Sequence, residues 1–233
     1  QGQAIGACYL GHKEKFPNFK FKESHNYYLG SSFKKKEITK ILNKYKKKII
    51  FNDHKNEIFS QTAKIISNGK IVAWFQGKAE FGPRALGNRS ILCKPFPVGM
   101  KNHINKRVKF REAFRPFAPA VLENYQNTYF DSNKKTYHML YATKVKKKFI
   151  KNIQAVIHKD GTARVQTVNK ESNKRFFYLI NEFYKISKIP ILLNTSFNIK
   201  GQPIINNPEQ AIKSLLSTKI DYLIIDNFII QKK

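Results

Sequence analysis

The chain has 233 residues and carries 44 Lys and Arg against 15 Asp and Glu, which gives a formal charge of +29. A chain of this length can bury a sizeable core without disulfides or a structural metal, and its 41% hydrophobic and 13% aromatic content excludes a mainly disordered chain. Its two cysteines, Cys8 and Cys93, lie far apart and form no CxxC pair, which argues against a disulfide framework and a Cys-based zinc site.

Helical and strand patterns are mixed along the first half of the chain. Residues 1–12 are small and apolar, and residues 13–35 are typical of a connector. The following patterns predict a helix over 36–48, a strand over 49–52, a helix over 55–68 ended by Gly69, a strand over 71–75, a structured loop over 80–92 and a helical segment over 99–109.

The second half continues the mixture. It predicts strands over 116–122 and 154–158, a turn at Asp160–Gly161, a helix over 172–188 capped by Ser172 or Asn173, a strand over 190–196, a helix from Pro208 to about 217, and a closing hairpin of 221–226 and 228–231. Helices and strands without strict βαβ alternation predict an α+β or mixed-sheet α/β domain.

The expected cellular compartment follows from two features that the sequence lacks, a membrane span and a signal peptide. No apolar run approaches the roughly 18 residues of a membrane span, and the N-terminus has no signal-peptide pattern. We therefore expect a cytoplasmic protein with no membrane partner. Because the first residue is Gln1 rather than Met, we also expect a fragment or a chain cut from a longer protein.

The high positive charge has two interpretations. It would attract the phosphate backbone of a nucleic acid, or it reflects a composition rich in Lys, Ile, Asn, Phe and Tyr, as in proteins of AT-rich genomes. No aromatic–basic RNA-binding pattern, zinc finger or basic heptad accompanies the lysine runs. We therefore favour compositional bias and do not expect a nucleic-acid partner.

Arginine is used sparingly and unevenly in this lysine-rich chain. None of the seven arginines precedes position 84, and five lie between positions 84 and 115. Arginine offers planar, bidentate and permanently charged contacts to phosphate or carboxylate, which lysine does not. The alternative, ion pairs within the fold, cannot easily account for all seven when the chain has 15 acidic residues.

Two segments combine arginine with features of anion binding. In 80–90, Gly82 and Gly87 allow close backbone approach, and Arg84 and Arg89 are placed to hold phosphate oxygens. The alternative for this segment is a surface loop with a salt bridge from Glu80. In 106–117, closely spaced positive charges repel one another unless an anion, such as a nucleoside triphosphate, or carboxylates neutralise them; the alternative is a solvated basic helix.

Two further segments carry weaker signals. Residues 158–164 form a strand-end turn that presents Arg164, and residues 194–203 place short polar side chains at the end of a buried strand. Those side chains suit either a nucleotide or the capping of a turn. There is no GxSxG, HExxH or P-loop motif, and the six histidines have no metal-ligand spacing, so we predict no metal site.

In this order, the four segments resemble the C-terminal half of the O-carbamoyltransferases of the nodulation-protein and cephalosporin- or aminoglycoside-carbamoylation type. The resemblance is carried by GKIVAWFQGKAEFGPRALGNRSIL, MKNHINKRVKFREAFRPFAPAVL, HKDGTARVQTV and LLNTSFNIKGQPIINNPEQA, and it covers about 60–231. It implies a YrdC-like domain over 31–233, with a mixed twisted sheet flanked by helices. Residues 1–30 would then be the tail of a preceding actin-like domain and a connector.

The resemblance also implies a two-step reaction. Carbamoyl phosphate and ATP would give a carbamoyl-adenylate and pyrophosphate in the YrdC-like domain, and the actin-like domain would transfer the carbamoyl group to a small-molecule hydroxyl. The catalytic residues it implies are Arg84, Lys109 and Arg115. The implied substrate- and nucleotide-binding residues are Arg164, Ser196, Asn194, Asn198, Arg111, Arg89 and Ser90.

The expected ligands are ATP with Mg²⁺, carbamoyl phosphate and a small-molecule acceptor. The missing N-terminal actin-like domain is the expected partner, and the metal of the transfer site is expected only there. Two alternatives stay open, namely a basic tRNA-binding YrdC-like module and an inactive remnant.

Overall fold

The computed structural model describes residues 2–20, 27–132 and 134–233. The α-helices are α1 (Gln3–Lys15), α2 (Lys35–Lys44), α3 (Ile58–Ser67), α4 (Gly99–Ile104), α5 (Gln126–Tyr129), α6 (Lys174–Ser187) and α7 (Pro208–Ser217). The strands are β1 (Ile49–Asp53), β2 (Val72–Phe75), β3 (Arg89–Cys93), β4 (Ala118–Leu122), β5 (Ala142–Lys144), β6 (Thr162–Arg164), β7 (Gln166–Val168), β8 (Ile191–Ser196), β9 (Tyr222–Ile225) and β10 (Phe228–Lys232).

A mixed eight-stranded sheet forms the centre of the molecule. Its strand order is β1-β10-β9-β2-β3-β8-β4-β7, and β5 and β6 form a separate antiparallel pair. Within the large sheet, β2–β9 and β4–β7 are parallel and the other neighbours are antiparallel. As a result, β2 and β8 end at one edge of the sheet, and β3, β4 and β7 begin at that same edge.

Helices cover both faces of the sheet. On one face, α2 and α7 pack their apolar residues against alternate residues of the central strands, such as Ala73 and Phe75. On the other face, α3 and α6 pack against the intervening residues, such as Val72 and Trp74. Strands buried on both faces need continuous apolar sequences, which is why 71–75 and 190–193 lack a polar alternation.

The capping residues lie at the helix N-termini where the sequence predicts them. The side chain of Asn173 accepts a hydrogen bond from the Phe176 backbone N–H at the start of α6. Asn207 caps α7, and Pro208 occupies the first turn of that helix. Each contact satisfies or removes a helix N–H that has no partner inside the helix.

The prediction of a mixed-sheet α/β domain is confirmed, and most elements lie where their patterns place them. The strand predicted over 154–158 is wrong, because Gln154–Val156 is a 3₁₀ helix. Ala155 and Val156 are buried in the core without strand pairing, and a short apolar run by itself does not distinguish a strand from other buried segments. The loop predicted over 80–92 ends at residue 88, since β3 begins at Arg89.

The short elements have weak sequence signals. Strands β5, β6 and β7 contain three residues each and were not predicted. Helix α1 occupies the segment assigned to a domain tail and part of the connector, and none of its residues is buried. None of the helices in the described ranges has the length and hydrophobicity needed to cross a lipid bilayer.

Gly87 allows the loop before β3 to lie directly against α6. Gly82 and Gly87 have nearly the same φ, +106° and +105°, but a Cβ at Gly87 would lie 2.2 Å from Cδ1 of the buried Phe176 ring, whereas a Cβ at Gly82 would meet nothing within 4 Å. We predict that Gly87→Ala lowers the free energy of unfolding by roughly 1–3 kcal/mol more than Gly82→Ala. Urea denaturation of the two variants measures this difference, and equal losses would contradict close packing at Gly87.

Candidate functional site

The loop between β2 and β3 is held in shape by one carboxylate. Glu80 Oε1 accepts hydrogen bonds from the backbone N–H groups of Leu86, Asn88 and Arg89, at 2.8, 2.7 and 3.0 Å. The alternative of a Glu80–arginine salt bridge is therefore not what the structure shows. Hydrogen bonds to an ionised acceptor are among the stronger ones in proteins, so Arg84 lies on a preformed turn.

Polar side chains from distant strands hold the other side of this loop. The carbonyl of Ala85 accepts a hydrogen bond from Asn194 Nδ2 at 3.0 Å. The carbonyl of Leu86 accepts from Gln166 Nε2 and from the Tyr28 hydroxyl, both at 2.8 Å. The turn that carries Arg84 is thus attached to β8, β7 and the segment before α2.

Arg89 lies inside the fold behind this loop. Its side chain is fully buried, with the guanidinium carbon 3.6 Å from the centre of the Phe75 ring. Its Nη2 donates to the carbonyls of Ser31 and Gly77, at 3.0 and 3.1 Å. Burial lowers the pKa of Arg89 to about 10, and its hydrogen bonds to backbone carbonyls give it a structural role.

Ser90 shares this location. It is fully buried, and its Oγ accepts a hydrogen bond from the Gly87 backbone N–H at 3.1 Å. The structure therefore places Arg89 and Ser90, two of the expected binding residues, behind the loop rather than in an open cleft.

An open cleft of about 90 Å³ lies at the sheet edge where β8 ends and β4 begins. Arg84, Arg111 and Arg164 line it, together with Asn194, Thr195 and Ser196 at the end of β8. Arg84, Arg111 and Arg164 come from three separate segments of the sequence, and the fold brings them together. No Asp or Glu belongs to the described residues that line this cleft.

The described part of the chain compensates the charges of Arg84 and Arg164 little, whereas Glu112 partly offsets the charge of Arg111. The Nε–H groups of Arg84 and Arg164 are buried and have no hydrogen-bond partner among the described residues. Burial, followed by repulsion from Arg84, lowers the pKa of Arg164. Burial, then repulsion from Arg115, lowers the pKa of Arg111; the carboxylate of Glu112 opposes this shift, and Arg164 adds a smaller lowering effect. Like charges held together in this way favour binding of an anion.

Asn105 fixes the position of Arg111, and its role was not predicted. This fully buried asparagine accepts a hydrogen bond from Arg111 Nε at 2.8 Å. Its Nδ2 donates to the carbonyl of Arg115 at 3.1 Å. Asn105 lies in a predicted helical segment and Gln166 in a strand that the sequence does not predict. Neither had a sequence signal, because an amide side chain is equally typical of a solvated position.

Lys109 lies beneath the end of β8. It ends a π-helical turn, Asn105–Lys109, a rare feature that occurs often at functional sites. Its Nζ donates to the carbonyls of Ser196 and Asn198, both at 2.8 Å, and to their side-chain oxygens at 3.2 and 2.6 Å. Burial, followed by repulsion from Arg111, lowers the pKa of Lys109 to about 7. Lys109 thus holds Ser196, which lines the cleft, and does not line the cleft itself.

Arg115 and Asn198 also lie outside the cleft lining. The Arg115 side chain is 54% exposed, and its Nε is 3.1 Å from Oε2 of Glu112. Asn198 Oδ1 accepts hydrogen bonds from Lys109 and from the Ser196 hydroxyl. The structure therefore brings together Arg84, Arg111, Arg164, Asn194 and Ser196, with Lys109 and Asn198 supporting them from behind.

No group of three or more His, Cys, Asp and Glu side chains in the described ranges is arranged to hold a metal ion.

Comparisons with known proteins match this chain to one family. The family model for the carbamoyltransferase C-terminus matches residues 63–232. Nodulation protein NolNO of Sinorhizobium fredii is 42% identical over 181 residues, which cover 76% of this chain and 27% of that protein. The uncharacterized protein MJ1058 of Methanocaldococcus jannaschii is 36% identical over 100% of this chain and 39% of its own length. The chain therefore spans less than half the length of these relatives.

A solved structure shares the fold at a lower level of identity. The crystal structure of T. kodakarensis HypF matches 76% of this chain and 21% of its own chain, with 18% identity and a TM-score of 0.51. At this identity the likeness concerns the fold alone.

We predict that the arginine cleft binds a small polyanion. Pyrophosphate at a hundredfold excess over its dissociation constant should stabilise the chain by about 2.7 kcal/mol. Arg84→Gln and Arg164→Gln should abolish this stabilisation, whereas Arg107→Gln should retain it, because Arg107 is exposed and does not line the cleft. Thermal unfolding with and without pyrophosphate checks this, and equal effects in all three variants would show binding to the general surface charge.

The depressed pKa of Lys109 predicts a specific pH dependence of stability. In the unfolded chain this lysine is protonated below its ordinary pKa of 10.5. In the folded chain it is protonated only below a pH of about 7. Wild type should therefore gain stability relative to Lys109→Met as the pH rises from 7 to 9. Lys106→Met, which removes an exposed neighbour, is the control. The free energies of unfolding of wild type and Lys109→Met are measured by urea denaturation. A difference between them that stays constant from pH 7 to 9 would contradict the depressed pKa.

Proposed function

The chain belongs to the carbamoyltransferase C-terminal family, and from this premise we propose that it is the part of an O-carbamoyltransferase that binds carbamoyl phosphate and ATP and forms a carbamoyl-adenylate. The observation that carries the proposal is the cleft of three arginines with no acidic side chain among its described lining residues. Transfer of the carbamoyl group to a small-molecule hydroxyl would belong to the remainder of the longer protein.

The proposed reaction brings together two anions and consumes one water. Water cleaves carbamoyl phosphate to carbamate and phosphate. A carbamate oxygen then attacks the α-phosphorus of ATP, a new P–O bond forms, and the bond to pyrophosphate breaks. Electrostatic repulsion between the reactants opposes their approach, and positioned cations offset it while they stabilise the charge that develops on the leaving pyrophosphate.

The residues of the cleft fit the phosphate-bearing ends of these reactants. Arg84 and Arg164 bring guanidinium groups that no described carboxylate neutralises. Arg111 is held in place by Asn105 at 2.8 Å, so little side-chain entropy is lost when it contacts an anion. Mg²⁺ would be bound through the oxygens of ATP rather than by a protein cage.

Ser196 and Asn194 would complete the site. The Ser196 hydroxyl is fixed by Lys109 and Asn198, and the Asn194 amide is fixed by the carbonyl of Ala85 and by Gln166 Oε1. Both side chains lie at the end of β8, beside the arginines. Groups held this firmly need no reorganisation when the reactants bind, which is the basis of electrostatic preorganisation.

The test is pyrophosphate release by the purified chain with ATP and Mg²⁺, with and without carbamoyl phosphate. We expect release that depends on carbamoyl phosphate, that falls at least about 100-fold in Arg84→Ala and that is retained in the matched variant Arg107→Ala. The phosphate released from carbamoyl phosphate should equal the pyrophosphate in amount. A chain that neither releases pyrophosphate nor binds ATP would contradict the proposal.

A further inference from the structure

The two outer strands of the large sheet differ in how they are covered. At one edge, all three residues of β7 are buried, and the Thr167 N–H donates to the Thr136 carbonyl at 3.1 Å. At the other edge, β1 pairs with β10 on one side, and no strand in the described ranges lies on its other side. Because an open edge presents unpaired N–H and C=O groups, it is a template for another extended chain.

The hydrogen bonds between β1 and β10 show which backbone groups face the open side. The His54 N–H donates to the Asn227 carbonyl at 2.9 Å, and the Lys48 carbonyl accepts from the Lys233 N–H at 3.1 Å. In an antiparallel pair, residues that bond to the neighbouring strand alternate with residues whose N–H and C=O point away from it. Even-numbered residues of β1 therefore bond to β10, and the N–H and carbonyl of Phe51 point outward.

Strand β1 itself has little that would block a further strand. Residues 49–53 contain no proline or lysine, and their pairing with β10 has no bulge, the features that commonly close an edge. Asn52 lies opposite Ile229, which belongs to the core beneath α3 and α6. Ile50 lies on the same face as Asn52, because side chains two residues apart share a face, and it is 50% exposed. An added strand would cover it.

The charge around this edge favours an acidic occupant. Three exposed lysines, residues 46–48, immediately precede β1, and none of them forms an ion pair with an Asp or Glu of the described part of the chain. The acidic residue of the strand, Asp53, already accepts a hydrogen bond from Lys35 of α2 at 2.6 Å. A second copy of the chain would bring its own formal charge of +29 and be repelled, whereas an acidic segment would be attracted.

We propose that the open edge of β1 binds an extended acidic segment of a partner protein, which adds a strand to the sheet. Main-chain hydrogen bonds to Phe51 provide affinity in this mode of binding, and the alternating side chains of the segment provide selectivity. An apolar residue of the segment covers Ile50, and its acidic residues lie near the lysines at 46–48. The edge shares no residue with the arginine cleft, so this inference does not depend on the proposed function.

The experiment uses a synthetic peptide of alternating Glu and Val, about eight residues long, which is within the usual length of a strand. Fluorescence anisotropy of the labelled peptide measures its dissociation constant for the full chain. A control peptide has the same sequence with every backbone amide N-methylated, so it keeps its negative charge but has no N–H to donate. We expect the control peptide to bind at least about 10-fold more weakly. Equal affinities, or no binding of the unmethylated peptide, would overturn the proposal.

Two variants that lose the same charge locate the binding site. The first is the triple variant Lys46→Gln, Lys47→Gln and Lys48→Gln. The control is the triple variant Lys147→Gln, Lys148→Gln and Lys151→Gln, which removes three exposed lysines from the segment after β5, outside the large sheet. At an ionic strength of about 0.15 M, where charges more than about 8 Å apart are largely screened, the first variant should weaken peptide binding by about 3- to 30-fold and the control should not. Equal losses would show attraction to the general surface charge and overturn the proposal.

Hydrogen exchange, followed by nuclear magnetic resonance, tests the edge residue by residue. The peptide at about ten times its dissociation constant should slow exchange of the Phe51 amide about 10-fold. The amides of Ile50 and Asn52 should change less, because they already bond to β10. Unchanged exchange at Phe51 in the presence of bound peptide would overturn the proposal. A chain that sediments as a dimer without peptide, with the Phe51 amide already protected, would assign the edge to a second copy and overturn it as well.

Discussion

The concentration of like charge at one end of the sheet is the constraint around which the site is built. Three guanidinium groups line a single cleft in which the described walls contain no carboxylate. Their partial burial and mutual repulsion oppose folding, and burial followed by repulsion from Arg84 lowers the pKa of Arg164. Such a cluster requires the surrounding structure to hold each cation firmly, and an anion bound there would offset the repulsion.

The holding structure has two parts, one on each side of the cleft. On one side, Glu80 collects three backbone N–H groups, and Arg89 donates to backbone carbonyls from inside the fold. On the other side, Lys109 ties together the oxygens of Ser196 and Asn198. Glu80, Arg89 and Lys109 form their hydrogen bonds within the protein. The cleft arginines beside them remain available for a ligand.

This division explains why the residues that line the cleft were only partly predicted. The scarcity of arginine in a lysine-rich chain draws attention to positions 84–115, and two arginines of that segment, Arg84 and Arg111, line the cleft. It could not separate Arg84, which lines the cleft, from Arg89, which is fully buried five residues later. That difference depends on the acceptors that other segments offer, and one of them, the Ser31 carbonyl, lies 58 residues away in the sequence.

The sequence by itself determined the helices with clear apolar periodicity, the buried strands, a cap of α6 at Ser172 or Asn173, the start of α7 at Pro208, and the segments that contribute residues to the cleft. These properties depend on neighbours a few residues apart. Only the tertiary structure decided that 154–156 packs as a 3₁₀ helix, that three distant arginines meet, and that β1 lies at an open edge of the sheet. These outcomes depend on strand order and on contacts between residues far apart in the chain, such as Lys109 and Ser196, which are 87 residues apart, and local sequence patterns contain no information about such contacts.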